Sequence, residues 1–157
     1  MKLLRRQKEP WLFEISPREK NLLVAVLKNF PMVVPTHHRL SKNGGVSNQA
    51  ENQRLLEESL QTQKNDNRRR LAALLNNAEK FKPCEAGFHF TLTRTEIEWL
   101  LQVLNDVRVG SWLALGSPDL ELENQVALNA QTLPHLQRME LAGMFEMFFL
   151  NAVSGTG

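Results

Sequence analysis

The chain has 157 residues, 42% of them hydrophobic and 23% charged, with a formal net charge of +2. This composition is typical of a folded globular protein and excludes a disordered chain. The single cysteine, Cys84, excludes an intramolecular disulfide and fits a reducing compartment. The most apolar run, residues 144–153, is about half as long as a bilayer span, and the basic start lacks a leader's apolar core. We therefore expect one cytoplasmic domain, residues 1–157, without membrane contact.

The first elements predicted along the chain are a strand and a helix. Residues 11–15 alternate in the manner of a strand. Ser16 then supplies a helix N-cap, Pro17 a first-turn proline and Glu19 the glutamate of a capping box. A helix is predicted to begin at Pro17 and to stop before Pro31.

The middle of the chain is predicted to contain a loop, a helical region and a second strand. Residues 31–47 contain prolines and glycines with few apolar anchors, which predicts an exposed loop. Leucines recur at helical spacing over residues 48–81, but residues 62–67 contain no apolar side chain. One long helix and two shorter helices are both compatible with this pattern. Residues 88–92 alternate as a second strand, which is expected to pair with residues 11–15.

The last third predicts two further helices. Thr93 and Glu96 form a second capping box, and the helix that follows extends to Gly116. Residues 134–153 have the pattern of a final helix that is apolar on two sides. The predicted fold class is mainly α, a bundle of four or five helices with a small two-stranded β-sheet.

Arg108 interrupts the apolar pattern of the third predicted helix. At about 100° per residue it lies near the centre of one predicted face. The other members of that face are Ile97, Leu100, Leu101, Leu104, Ser111 and Leu115. A buried guanidinium requires a carboxylate partner, and we expect Glu140 in this role, with Glu19 and Glu146 as alternatives. An anion or ligand site at Arg108, and an arginine extending into solvent, remain open.

Two surfaces are candidates for contact with another protein. The first is a polar side of the third helix, expected to be solvated and formed by Glu98, Gln102, Asn105 and Asp106. The second is one face of the last helix, where Phe145, Phe148 and Phe149 predict an interface with a partner or a second copy.

The sequence contains no catalytic, metal or cofactor signature. No histidine pair has the spacing of a helical zinc site, and Cys84 has no companion thiol. A nucleophilic pair of Cys84 with a histidine remains open. Helical spacing spreads the arginines of residues 68–70 around the helix, so they do not form one basic face. Together with the basic N-terminus, they still leave nucleic acid as an alternative partner.

The order of elements resembles a bacterial family of unknown function, best represented in actinobacteria. The resemblance is sharpest at Trp99-Leu100, at the run from Leu104 to Val109 and at Leu115-Gly116, and it departs at residues 31–47 and 110–112. It carries over Asn105, Asp106 and Arg108 as shared positions without a known role. Genes of this family often lie beside that of the ClpS adaptor, which implies an accessory role in Clp-type regulated proteolysis.

The function expected from the sequence is therefore a non-enzymatic interaction or regulatory protein of the bacterial cytoplasm, without cofactor. The expected partner is another protein or a second copy. A nucleic-acid-linked regulator is the first alternative. An enzyme with a site near Arg108 and Cys84 is the second.

Overall fold

The computed structural model describes residues 1–34, 49–117 and 127–155. A four-stranded sheet is packed against helices in this part of the chain. The strands are β1 (Lys2–Arg5), β2 (Trp11–Ile15), β3 (Lys82–Cys84) and β4 (Gly87–Leu92), and the helices are α1 (Pro17–Leu27), α2 (Gln49–Asn76), α3 (Arg94–Ala114) and α4 (Leu133–Ser154). None of the described helices is both long and apolar enough to cross a lipid bilayer.

The prediction of a two-stranded sheet is wrong, because the sheet has four antiparallel strands in the order β1-β2-β4-β3. The central pair is the predicted one, with Trp11 opposite Leu92 and Ile15 opposite Phe88. The two missed strands are the edges. β1 has only four residues and shows no clean alternation, and β3 contains Pro83, a residue that strands tolerate mainly at edges.

Both predicted capping boxes are confirmed. The Ser16 hydroxyl accepts the Glu19 amide, while the Glu19 carboxylate accepts the Ser16 amide. Thr93 and Glu96 make the same exchange at the start of α3. The hydrogen bond from the Met1 α-ammonium, with the Ser16 amide, lowers the pKa of Glu19 to about 2.

One helix, α2, occupies residues 49–76 of the predicted helical region and continues through the stretch without apolar residues. Polar contacts hold that stretch in place, because Lys64 and Asn67 bond to side chains of α3. α1 ends at Leu27, ahead of the predicted stop at Pro31.

The core lies between one face of the sheet and helices α1, α3 and α4. Phe13 and Phe90 stack across the central strands with ring centroids 5.2 Å apart, and Phe149 meets Phe13 edge-on at 5.9 Å. Such aromatic pairs add to the free energy gained by burying their area.

Part of the predicted loop at residues 31–47 is packed rather than exposed. Val33 is buried and Met32 is half-buried, and residues 35–48 lie outside the described residues. Met32 lies so close to α3 that a Cβ at Gly110 would be 2.4 Å from the Met32 Cβ. The glycine therefore permits the close approach of this segment to the helix.

Gly110→Ala should destabilise the protein, although the same change in a free helix interior stabilises by about 1 kcal/mol. The added methyl group overlaps the Met32 Cβ, which cannot move without its backbone, so we expect a net loss of about 1–3 kcal/mol. Urea denaturation measures this free energy of unfolding.

Gly143→Ala in α4 is the matched control. Among the described residues its new Cβ would meet only the Arg108 Cδ, at an ordinary contact distance of 3.6 Å. It should raise stability by about 0.5–1 kcal/mol. Equal effects of the two substitutions would contradict the close approach at Gly110.

Candidate functional site

Asp106 joins three segments of the chain. Its side chain lies on α3, and the residue is only 8% exposed. One carboxylate oxygen, Oδ1, accepts the backbone N–H groups of Met32 at 2.6 Å and Val33 at 3.4 Å. The other oxygen, Oδ2, accepts the ammonium group of Lys64 on α2. The expectation that Asp106 belongs to a solvated surface is therefore wrong: it fixes the segment after α1 and the middle of α2 against α3.

Lys64 supplies the positive charge of this contact. Its side chain is 13% exposed, and its ammonium nitrogen lies 5.7 Å from the centroid of the Phe30 ring. A carboxylate with little exposure is costly unless a cation and hydrogen bonds compensate it. Lys64 and the two backbone amides provide that compensation.

Side-chain amides form a second cluster one turn of α3 before Asp106. The Gln102 Oε1 accepts Asn67 Nδ2 at 2.9 Å and Gln63 Nε2 at 3.1 Å. Asn67 is only 3% exposed, and its Oδ1 is buried with no hydrogen-bond partner among the described residues. Buried polar atoms are nearly always satisfied, so an orphaned amide oxygen requires an explanation.

A cavity of about 210 Å³ connects the two clusters. Its wall combines apolar side chains with several amides and the Asp106–Lys64 pair. The lining residues are Phe30, Val33, Leu60, Gln63, Lys64, Asn67, Gln102, Asn105, Asp106 and Val109. We call this site the α2–α3 groove. Apolar walls with a few convergent polar groups are typical of binding sites.

Arg108 is not the buried charge that its spacing predicts, since its side chain is 44% exposed. The guanidinium donates to Glu146 at 2.9 Å and to Asn105 at 2.7 Å, so the carboxylate beside it is Glu146 and not Glu140. The buried arc of α3 is rotated toward Val103 and Val107, which leaves Arg108 at its edge.

The aromatic residues of α4 do not form a free surface. Phe145 and Phe149 are buried in the core, and the half-buried Phe148 packs against Phe13 at 6.0 Å. The predicted aromatic interface is therefore wrong for the two buried rings. The exposed large apolar side chains of α4 are Leu133, Met144, Met147 and Leu150.

The residues proposed for the nucleic-acid-linked regulator and for the enzyme lie outside the α2–α3 groove. The three arginines of residues 68–70 are exposed, and Arg69 pairs with Asp66 on the same helix. Cys84 lies on β3 beside sheet residues, whereas Arg108 lies on α3 against α4, so the structure does not bring these two together in one site.

Sequence reasoning missed Lys64 and Asn67, although a signal was present. Both occupy the helical spacing that places Leu60 and Leu71 on the packed side of α2. Polar residues at core positions are the same kind of anomaly that drew attention to Arg108. Lys64 and Asn67 of α2 bond to Asp106 and Gln102 of α3, respectively.

Asp106→Ala should cost about 3–5 kcal/mol of unfolding free energy, because it leaves the Lys64 ammonium and two amides without their acceptor. Lys64→Met should cost less, about 1–2 kcal/mol, since Asp106 keeps its amide bonds. A double-mutant cycle measured by denaturation gives their coupling.

Arg108→Met is the control for this cycle, because exposed ion pairs contribute at most about 1 kcal/mol. If Asp106→Ala costs no more than Arg108→Met, Asp106 does not have the organising role assigned to it.

Comparisons of the chain with protein-family models, with curated proteins and with solved structures find no match. The resemblance to the actinobacterial family stays a prediction. The site is therefore defined by its geometry: a small amide-lined groove between α2 and α3, beside the Asp106 carboxylate that joins the two helices.

Proposed function

We propose that the protein is a non-enzymatic interaction protein of the cytoplasm, and that its α2–α3 groove takes up an extended peptide segment of a partner protein. The observation that supports this most directly is the buried Asn67 Oδ1, which has no donor among the described residues. A backbone N–H of a bound peptide would supply that donor.

The size of the groove favours one side chain over a cofactor. Its volume of about 210 Å³ is below the range of about 300–1,000 Å³ usual for small-molecule sites. Phe30, Val33 and Leu60 offer an apolar surface to such a side chain. The surrounding amides resemble the donors and acceptors of a peptide backbone, so they match its alternation of N–H and C=O groups.

Local charge also favours a neutral ligand. Asp106 is compensated by Lys64 and by two backbone amides, so the groove presents little net charge to a ligand. The exposed Gln63 lines the groove together with Asn67, and we propose that its flexible side chain rotates to admit a peptide N–H to the buried oxygen. A peptide segment then gains a hydrogen bond that solvent does not make there.

An accessory role in Clp-type proteolysis is a narrower form of this proposal. Regulated proteolysis depends on recognising segments of other proteins, and a peptide groove would serve that purpose. This narrower role rests on the family resemblance alone and needs its own test.

Selection of peptides from a displayed random library on the wild-type protein tests the groove. Peptides selected in this way should bind Asn67→Leu at least about tenfold more weakly, which is the change in affinity expected from the loss of one hydrogen bond. The same substitution should leave the unfolding free energy within about 1 kcal/mol of wild type, because the lost hydrogen bond to Gln102 is offset by removal of an unsatisfied buried carbonyl. Calorimetry and denaturation measure the two quantities.

Asn65→Leu, on the exposed side of α2 two residues away, is the matched control. It should change neither affinity nor stability by more than about 0.5 kcal/mol. Equal peptide affinity in both variants, or a selection that yields no peptide dependent on Asn67, would contradict the proposal.

A further inference from the structure

Three potential metal ligands converge on the face of the sheet that is turned away from the core. Glu14 on β2 stands opposite His89 on β4, and the His89 Nε2 lies 3.3 Å from the Glu14 Oε2. Three ligand atoms, one each from Glu14, His89 and Cys84, lie within 4.8 Å of one another. All three side chains are partly buried.

The register of the sheet produces this arrangement. Lys82 on β3 is opposite His89, and Cys84 lies two residues further along the same strand, so its side chain is on the same face. The β3–β4 hairpin closes at Gly87, whose φ is +139°. A Cβ at Gly87 would be 2.5 Å from the carbonyl oxygen of Ile15, so glycine lets the hairpin lie against β2.

The ligand set and its spacing fit zinc. Thiolate, imidazole and carboxylate bind Zn²⁺ at about 2.0–2.3 Å, so two ligand atoms of a tetrahedral ion stand about 3.3–3.6 Å apart. The histidine and glutamate already have that separation, and small side-chain rotations bring in the sulfur. One thiolate and one carboxylate also neutralise a dication.

We propose that Glu14, Cys84 and His89 form a zinc site with three protein ligands and a fourth position open to water. This geometry is the one found where zinc keeps an exchangeable ligand. Lys2 and Lys82 stand opposite Glu14 and His89 on the flanking strands. Both anionic ligands are therefore needed to hold a dication there. The site is independent of the α2–α3 groove.

Cobalt titration tests the site directly, because Co²⁺ substitutes for Zn²⁺ and reports its ligands. Binding of one Co²⁺ should produce a near-ultraviolet sulfur-to-cobalt charge-transfer band, and Zn²⁺ should abolish it by displacement. Zinc binding should also release the Cys84 thiol proton, which calorimetry in buffers of different ionisation enthalpy measures.

Substitution of each ligand gives the second readout. Cys84→Ser should remove the charge-transfer band and, like His89→Gln, weaken Zn²⁺ binding by more than about 100-fold, the upper end of losses from outer-shell changes. Thr91→Val, on the same face of β4, is the control and should keep wild-type affinity. Thermal melting of each variant with and without a chelator shows whether that variant is folded. If one variant does not fold, the cobalt spectrum of the wild-type protein still tests the site.

Two results would overturn the proposal. One is the absence of the sulfur-to-cobalt band in the wild-type protein. The other is zinc affinity that His89→Gln leaves unchanged.

Discussion

The Asp106 carboxylate is the interaction on which the arrangement of α2 depends. The buried residues of this helix are Leu71 and the polar Asn67, and Leu74 and Leu75 are half-buried against the core. The hydrophobic contacts of α2 with the core therefore lie near its C-terminal end. Asp106 compensates for this by bonding Lys64 and, with its other oxygen, the amides of Met32 and Val33. Breaking a buried pair of this kind costs far more than the pair itself contributes, which makes the contact specific.

The groove follows from this constraint. Gly110 lies one turn beyond Asp106 and lets Met32 approach α3, while Asp106 draws the same segment inward through its backbone. The space left between the segment and α2 is the cavity that Asn67 and Gln102 line. The unsatisfied Asn67 oxygen remains there as a cost in stability. Such costs are common at functional sites, where binding rather than folding sets the choice of residue.

The parts predictable from the sequence are those set by local chemistry. The two capping boxes and the alternating strands β2 and β4 are encoded within a few residues. The edge strand β3 was missed because three residues containing a proline carry no periodic signal. The Lys64–Asp106 contact spans 42 positions, and the partner of Arg108 depends on the rotation of α3, so local spacing could not determine either. The Glu14, Cys84 and His89 cluster likewise exists only once the strands are in register.

Hydrogen exchange at the Met32 amide tests the central claim most directly. This amide lies in an irregular segment, outside the helices and strands of the described residues, and its acceptor is the Asp106 carboxylate. If Asp106 holds the segment against α3, the amide exchanges at least about 100-fold more slowly than an unstructured one and loses that protection in Asp106→Ala, which removes the acceptor. Exchange in the wild-type protein at the unstructured rate would contradict the account.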